Sequence, residues 1–241
     1  MRHLFTSLVL LALTVVQARP SFAYTPLSDA SLRHLPRLFS SSSSSSSSEN
    51  HSGGFDPDFD PTHGALLAPI LRPRVPGTPG HAAVQEHFAA FARDRLHAGW
   101  AAEWHNTTSA TPATGDRAVP FRNLVLRRDP PWTTAPAPAS GSASASASRE
   151  GDVARLTLAA HYDSLYRPEG FVGAVDSAVP CALLLFVARA VDAALTRRWE
   201  AAERSGEAGL EGEEKGLQIL LLDGEEAWVE WSERDSLYGS R

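Results

Sequence analysis

A strand, an apolar helix and a second strand follow one another between residues 155 and 222, and this pattern constrains the fold most strongly. Residues 155–160 are typical of a strand, and residues 217–222 are a continuous apolar run, as expected for a strand buried on both faces. Between them, residues 181–195 are apolar nearly all round, and Pro180 suits the first position of a helix. The pattern predicts a βαβ unit, and therefore an α/β fold with parallel strands and covered faces.

Two further elements are predicted before this unit. Residues 81–97 carry their apolar side chains on one stripe, which indicates an amphipathic helix packed on a core. Residues 123–126 are typical of a strand.

Residues 1–23 are predicted to be a signal peptide. A basic start is followed by an apolar run at residues 4–16 and by small residues at positions 21–23. The run is shorter than the roughly 20 residues that span a bilayer, so cleavage is expected and not anchoring. No later segment is expected to cross a membrane. We therefore expect a secreted protein without a membrane anchor.

Low-complexity segments divide the rest of the chain. The serine tract at residues 40–48 indicates that residues 24–62 are a disordered leader, because such a segment buries too little apolar surface to offset its ordering entropy. Residues 133–148, rich in serine, alanine and proline, are interpreted as a loop insertion. Residues 63–241 are then one folded domain.

Composition excludes some functions. The formal net charge of −6 does not favour binding to nucleic acid. Cys181 is the single cysteine, so no intrachain disulfide can form. Asn50 and Asn106 begin glycosylation sequons, and Asn106 is expected in a polar loop after a helix.

Acidic residues and a histidine stand at the ends of the predicted elements. His161 and Asp163 follow one strand, Asp176 precedes the apolar helix, and Glu225 and Glu226 follow the second strand. Because ligands of open α/β sheets bind beyond the carboxyl ends of strands, we expect these side chains to meet.

Each of these residues also has an ordinary interpretation. Asp176 taken alone is typical of a helix N-cap, His161 of a hydrogen-bonded core histidine, and the two glutamates of a solvated loop. Their combination favours a metal site, since paired carboxylates at a buried rim are costly without a cation. Zinc accepts histidine and carboxylate ligands and keeps an open position.

Three segments closely resemble the glutaminyl-peptide cyclotransferases, which belong with the zinc aminopeptidases. They are LAAHYDS at residues 158–164, FVGAVDSAVPCALLL at residues 171–185 and LQILLLDGEEAWVEWSERDSLYGSR at residues 217–241. The resemblance implies a three-layer α/β/α fold with a mostly parallel central sheet, in which residues 63–241 are the N-terminal part of a zinc-dependent catalytic domain. The family's remaining strands and its third zinc ligand, a histidine, are expected beyond Arg241, so the fold is expected to be incomplete there.

The resemblance also implies roles for individual residues. Asp176 and Glu226 are expected to bind one zinc ion, Glu225 to act as general acid and base, and Trp231 to form an aromatic wall of the substrate pocket.

Two further residues are expected to act near the metal. His161 matches a second-metal ligand of the two-zinc aminopeptidases, and Asp163 is expected to orient it from the second shell.

The implied reaction converts the N-terminal glutamine of a peptide to pyroglutamate and releases ammonia. The expected partner is a peptide or protein N-terminus, and the expected state is a monomer. Two alternatives stay open. One is a secreted zinc aminopeptidase, in which Glu225 would deprotonate an attacking water. The other is a non-catalytic binding domain or an inactive remnant.

Overall fold

The computed structural model describes residues 39–40, 54–134, 153–210 and 215–241. The predicted signal peptide, Asn50, and most of the predicted leader and loop insertion lie outside the described residues. By its internal contacts the chain divides into two units, and every described residue belongs to the second, Arg37–Arg241.

Six strands are described, in two sheets. The first sheet pairs two short antiparallel strands, and the second has the order β3-β4-β6-β5. The strands are β1 Phe39–Ser40, β2 Gly54–Phe55, β3 Trp100–Ser109, β4 Val119–Arg128, β5 Ala154–His161 and β6 Lys215–Leu222.

Three α-helices accompany the sheets. They are α1 Pro79–Arg95, α2 Pro131–Thr134 and α3 Val179–Ser205. A 3-10 turn spans Pro57–Phe59, and a π-helical turn, Ala174–Ala178, leads into α3. Thr78 caps the start of α1 by accepting the His81 N–H, and Gly206, with φ +78°, caps the end of α3. Helix α3 extends beyond the predicted residue 195, because Trp199 and Ala202 continue its buried stripe.

The predicted βαβ unit is confirmed, but the predicted mostly parallel sheet is wrong for the described strands. Strands β5 and β6 are parallel and joined through α3, whereas the β3–β4 and β4–β6 pairs are antiparallel. Only residues 110–118 connect β3 to β4, which is enough for an antiparallel pair but too short for a parallel crossover.

Strand β3 corrects a second expectation, that Asn106 lies in a polar loop. Asn106 lies within β3 and pairs with Arg122 of β4. Most side chains of β3 are exposed on both faces, and so its sequence lacks the alternation that marks a half-buried strand.

Helices α1 and α3 cover one face of the four-stranded sheet. Leu217, Ile219 and Leu221 of β6 are buried, and the last two share a single core cluster with side chains of α1 and α3. The alternate β6 residues Gln218 and Leu220 are only partly buried. The described residues therefore form two layers, and the predicted third layer is not among them.

Helix α3 and the turn before it correct the expectation that no later segment could cross a membrane. By length and composition Ala174–Ser205 is apolar enough to do so, with a mean hydropathy of 1.9 over its most apolar window. Core helices pass the same test, and Cys181, Leu185 and Ala188 bury one face of this helix.

Candidate functional site

The loops that follow β5 and β6 meet around the His161 imidazole, at the carboxyl ends of these two strands. Its Nε2 lies 2.7 Å from Asp176 Oδ1. Its Nδ1 lies 3.3 Å from Asp163 Oδ1 and 3.9 Å from Glu225 Oε2. The structure thus brings together four residues that the sequence analysis selected.

Asp163 anchors the second loop to the first. Its buried carboxylate accepts the backbone N–H of Glu225 at 3.1 Å and that of Glu226 at 3.0 Å. Gly224 makes the preceding turn with φ +65°, and a Cβ there would lie 2.4 Å from a ring carbon of Phe121, so only glycine fits. Asp163 thus holds the backbone of the two glutamates, and their side chains stay available for other partners.

The donor atoms suit a divalent metal. His161, Glu225 and Glu226 each offer one ligand atom, and these atoms all lie within 4.8 Å of one another. Asp176 reaches this group through His161, and its side chain is 77% exposed. Nitrogen and carboxylate oxygen donors at such spacing are ligands that zinc accepts.

Asp176 is not the N-cap of α3. The N-cap is Ala178, which makes no side-chain capping bond, and Asp176 has non-helical backbone angles within the preceding π turn. The helix-cap interpretation is therefore wrong, and the carboxylate is directed at His161.

The cluster concentrates negative charge. Burial raises the pKa of Glu226 to about 7, with further contributions from the charges of Asp163, Glu225 and Asp176. Burial and the charges of Asp163 and Asp176 also raise the pKa of Glu225, against the opposing effect of His161. A divalent cation would relieve this repulsion and keep the carboxylates ionised.

His161 responds to the same charges in the opposite sense. Burial alone would lower its pKa, but the hydrogen bond and charge of Asp163, with Asp176 and Glu225, raise it to about 9. The imidazole is therefore protonated at neutral pH when only protons compete for the site.

Trp231 lines a cavity to which this cluster does not contribute. Its side chain is 56% exposed and lines a cavity of about 600 Å³ together with Ser232, Leu237 and Arg241. No residue of the acidic cluster lines that cavity. The loop that carries Trp231 is held in place, because Asp235 accepts the N–H groups of residues 228–230 at 2.8–2.9 Å.

Arg74 is a buried residue that the sequence analysis missed. Its guanidinium donates to the carbonyl oxygens of Tyr162 at 2.6 Å and Gly173 at 3.1 Å. It thereby joins the loop of His161 to the turn of Asp176. An arginine inside the apolar stretch at residues 66–76 was the available signal.

Comparisons with known proteins show what the chain is similar to. Residues 143–241 match the model of peptidase family M28. The chain is 40% identical over 182 residues to the glutaminyl-peptide cyclotransferase-like protein of Mus musculus, covering 74% of this chain and 38% of that protein. It is 37% identical over 179 residues to the glutaminyl-peptide cyclotransferase of Bos taurus, covering 73% and 41% respectively. The chain thus spans about two fifths of the length of these curated relatives.

A solved structure shares the fold. The crystal structure of Macrostomum lignano glutaminyl cyclase aligns with a TM-score of 0.51 and 29% identity, covering 72% of this chain and 40% of that one. The resemblance seen in the sequence is confirmed. Over the compared region the chain is similar to the glutaminyl-peptide cyclotransferases, and its residues 143–241 match peptidase family M28.

Proposed function

We propose that the protein is a zinc-dependent glutaminyl-peptide cyclotransferase acting on peptide and protein N-termini. The observation that carries this proposal is the meeting of Asp176, Glu225 and Glu226 around His161, in a homologue of such enzymes. The reaction joins the α-amine of an N-terminal glutamine to its own side-chain carbonyl carbon and releases the amide nitrogen as ammonia.

Asp176 and Glu226 would hold a single zinc ion. Their oxygen donors suit this ion, and the pKa of Glu226 is raised first by burial and then by neighbouring negative charges, which a bound cation would offset. When bound, zinc would polarise the side-chain carbonyl of the substrate glutamine.

Glu225 would move the proton. It would accept a proton from the attacking α-amine and donate it to the departing nitrogen, so that the C–N bond forms and ammonia leaves neutral. A pKa raised towards the working pH suits a group that must both accept and donate. The amine is tethered to its target, so the protein mainly has to hold the folded-back conformer.

Two other residues would support the reaction. Asp163 would orient Glu225 by accepting its N–H, and it would restrain His161 through the contact with Nδ1. Trp231 follows on the same loop with an exposed indole, which supports a role as an apolar wall for the substrate.

We also propose that the protein is secreted as a monomer after cleavage of residues 1–23. Asn106 would be glycosylated, since it is exposed on the edge strand β3. Asn50 lies outside the described residues and stays a sequence prediction.

The substitution Glu225→Gln tests the proposed catalytic role. It keeps the shape of the side chain but removes its ability to accept a proton, so we expect turnover of a glutaminyl peptide to fall about 10²- to 10⁴-fold. Zinc content, measured on the same sample, is expected to stay at the wild-type value. The comparison variant Glu226→Gln is expected to lose zinc. Wild-type turnover by Glu225→Gln would overturn the role.

A zinc aminopeptidase is the second candidate, and the position of His161 favours it. One imidazole nitrogen lies within 4.8 Å of a carboxylate oxygen of each glutamate, so His161 could share a metal ion with them. Two zinc ions per chain and release of the terminal residue would identify this activity.

A further inference from the structure

A closed ring of five hydrogen bonds lies behind the candidate site. His81 Nε2 contacts Asp223 Oδ1 at 2.8 Å, and the Arg122 N–H donates to Asp223 Oδ2 at 2.7 Å. The Tyr162 hydroxyl donates to the Arg122 carbonyl oxygen at 2.7 Å. The Gln85 amide nitrogen contacts the Tyr162 hydroxyl oxygen at 2.8 Å and His81 Nδ1 at 3.2 Å, which closes the ring.

The ring has one consistent arrangement of protons. Gln85 donates one amide hydrogen to Tyr162 and the other to His81 Nδ1, so His81 Nδ1 is an acceptor and Nε2 carries the proton. That proton points at Asp223, whose other oxygen already accepts the Arg122 N–H. Every hydrogen has an acceptor.

The ring is removed from solvent. His81, Gln85, Tyr162 and Asp223 are all buried, and the His81 ring stacks on that of Tyr162 with centroids 5.1 Å apart. Removing the partner of a polar group in such surroundings costs the full desolvation free energy of that group. The ring is therefore a rigid unit.

This unit joins helix α1 to both loops of the candidate site. His81 and Gln85 are one helical turn apart on α1. Tyr162 lies between His161 and Asp163, and Asp223 lies two residues before Glu225. Helix α1 therefore holds one loop through Gln85 and the other through His81.

We propose that His81 is a positioning residue for the candidate site. Through Asp223 it fixes the loop of Glu225 and Glu226 against the loop of His161 and Asp163, and so sets the distances on which metal binding and proton transfer depend. The catalytic consequence rests on the proposed function, whereas the effect on the loops and on zinc binding does not.

The test compares His81→Leu with His81→Gln in the full chain. Leucine removes both ring contacts, whereas the glutamine amide can still donate to Asp223. The same change at His63, whose side chain is 87% exposed, is the control. The measurements are hydrogen exchange of peptides covering residues 223–226 and 217–221, and zinc affinity by titration calorimetry with zinc alone.

We expect faster exchange at residues 223–226 in His81→Leu, with residues 217–221 still protected. Zinc affinity should fall about ten- to a hundredfold, as for other partners of metal ligands, and His81→Gln should recover most of it. With a glutaminyl peptide, kcat should fall while KM changes little. His63→Leu should match the wild type.

Wild-type exchange at residues 223–226 and wild-type zinc affinity in folded His81→Leu would overturn the proposal. If His81→Leu does not fold, it is replaced by His81→Phe, which keeps a ring against Tyr162 but cannot donate to Asp223. It should show the same local exchange, and unchanged exchange there would also overturn the proposal. Absence of turnover by the wild type would contradict the proposed function alone, because exchange still decides the role of His81.

Discussion

At the scale of single residues, buried carboxylates shape the loops, and partly buried ones remain available for chemistry. Asp163 accepts two consecutive N–H groups of the loop that carries the glutamates, and Asp235 accepts three in the loop that follows. Glu225 and Glu226 make no such contacts with backbone amides among the described residues. Asp163 and Asp235 are held in place because an ionised carboxylate that accepts several N–H groups cannot turn to other partners, whereas the two glutamates can.

Asp235 should make stability depend on pH. Burial opposes its ionisation, but hydrogen bonds from the Tyr238 hydroxyl and three backbone amides lower its pKa below the ordinary 3.8. Its contribution is therefore fully present above pH 3.8 and is lost as the pH falls through the lower folded-state value.

The substitution Asp235→Asn measures this contribution. Near neutral pH we expect the free energy of unfolding in urea to fall by about 1–3 kcal/mol, because the loop amides lose a charged acceptor. The difference from the wild type should shrink in acid. Asp116→Asn, at an exposed turn position, is the control and should have little effect. A difference that does not depend on pH would contradict the assignment.

The residues of the candidate site could be selected from the sequence, but not the groups that support them. His161, Asp176 and Glu225 stand at element ends, which local patterns mark. The partners His81 and Asp223 are 142 residues apart, and Gln85 and Tyr162 are 77 apart. No local pattern encodes such pairs, because they depend on how α1 packs against the sheet.

At the scale of elements, burial on the sheet decided which predictions succeeded. Strand β6 and helix α3 carry long apolar runs that are buried in the core, so the sequence predicted both. Strand β3 was missed because it lies at the sheet edge and owes its conformation to pairing with β4. The directions of the β3–β4 and β4–β6 pairs were also predicted wrongly, since apolar runs do not distinguish parallel from antiparallel neighbours.

Two leucines test the assignment of the core. Leu221 of β6 is fully buried, whereas Leu156 of the edge strand β5 is 66% exposed. Leu221→Ala should lower the free energy of unfolding by about 2–5 kcal/mol, because it removes apolar contacts and leaves a cavity. Leu156→Ala should change it by less than about 0.5 kcal/mol. Equal effects in urea unfolding would show that the core is wrongly assigned.

At the scale of the whole molecule, the site joins segments that are far apart in sequence. It draws on the loop after β5, the turn before α3 and the loop after β6, and it gathers acidic groups in a chain of formal net charge −6. A bound cation would therefore link these segments as well as neutralise them.

Zinc should consequently stabilise the entire fold. A ligand that binds only the native state adds about 2.7 kcal/mol to the free energy of unfolding at a free concentration of 100 times its Kd. Thermal unfolding with and without zinc should show a higher midpoint for the wild type. The shift should be largely absent in Glu226→Gln, and an equal shift in that variant would place the metal elsewhere.

The most direct test of the proposed function is mass spectrometry of a peptide with N-terminal glutamine, incubated with the zinc-loaded protein. The proposal predicts a product that has lost ammonia with its peptide chain intact, and far less of this product in the same time with Glu225→Gln. Release of the terminal residue, or an unchanged peptide with the wild type, would contradict it.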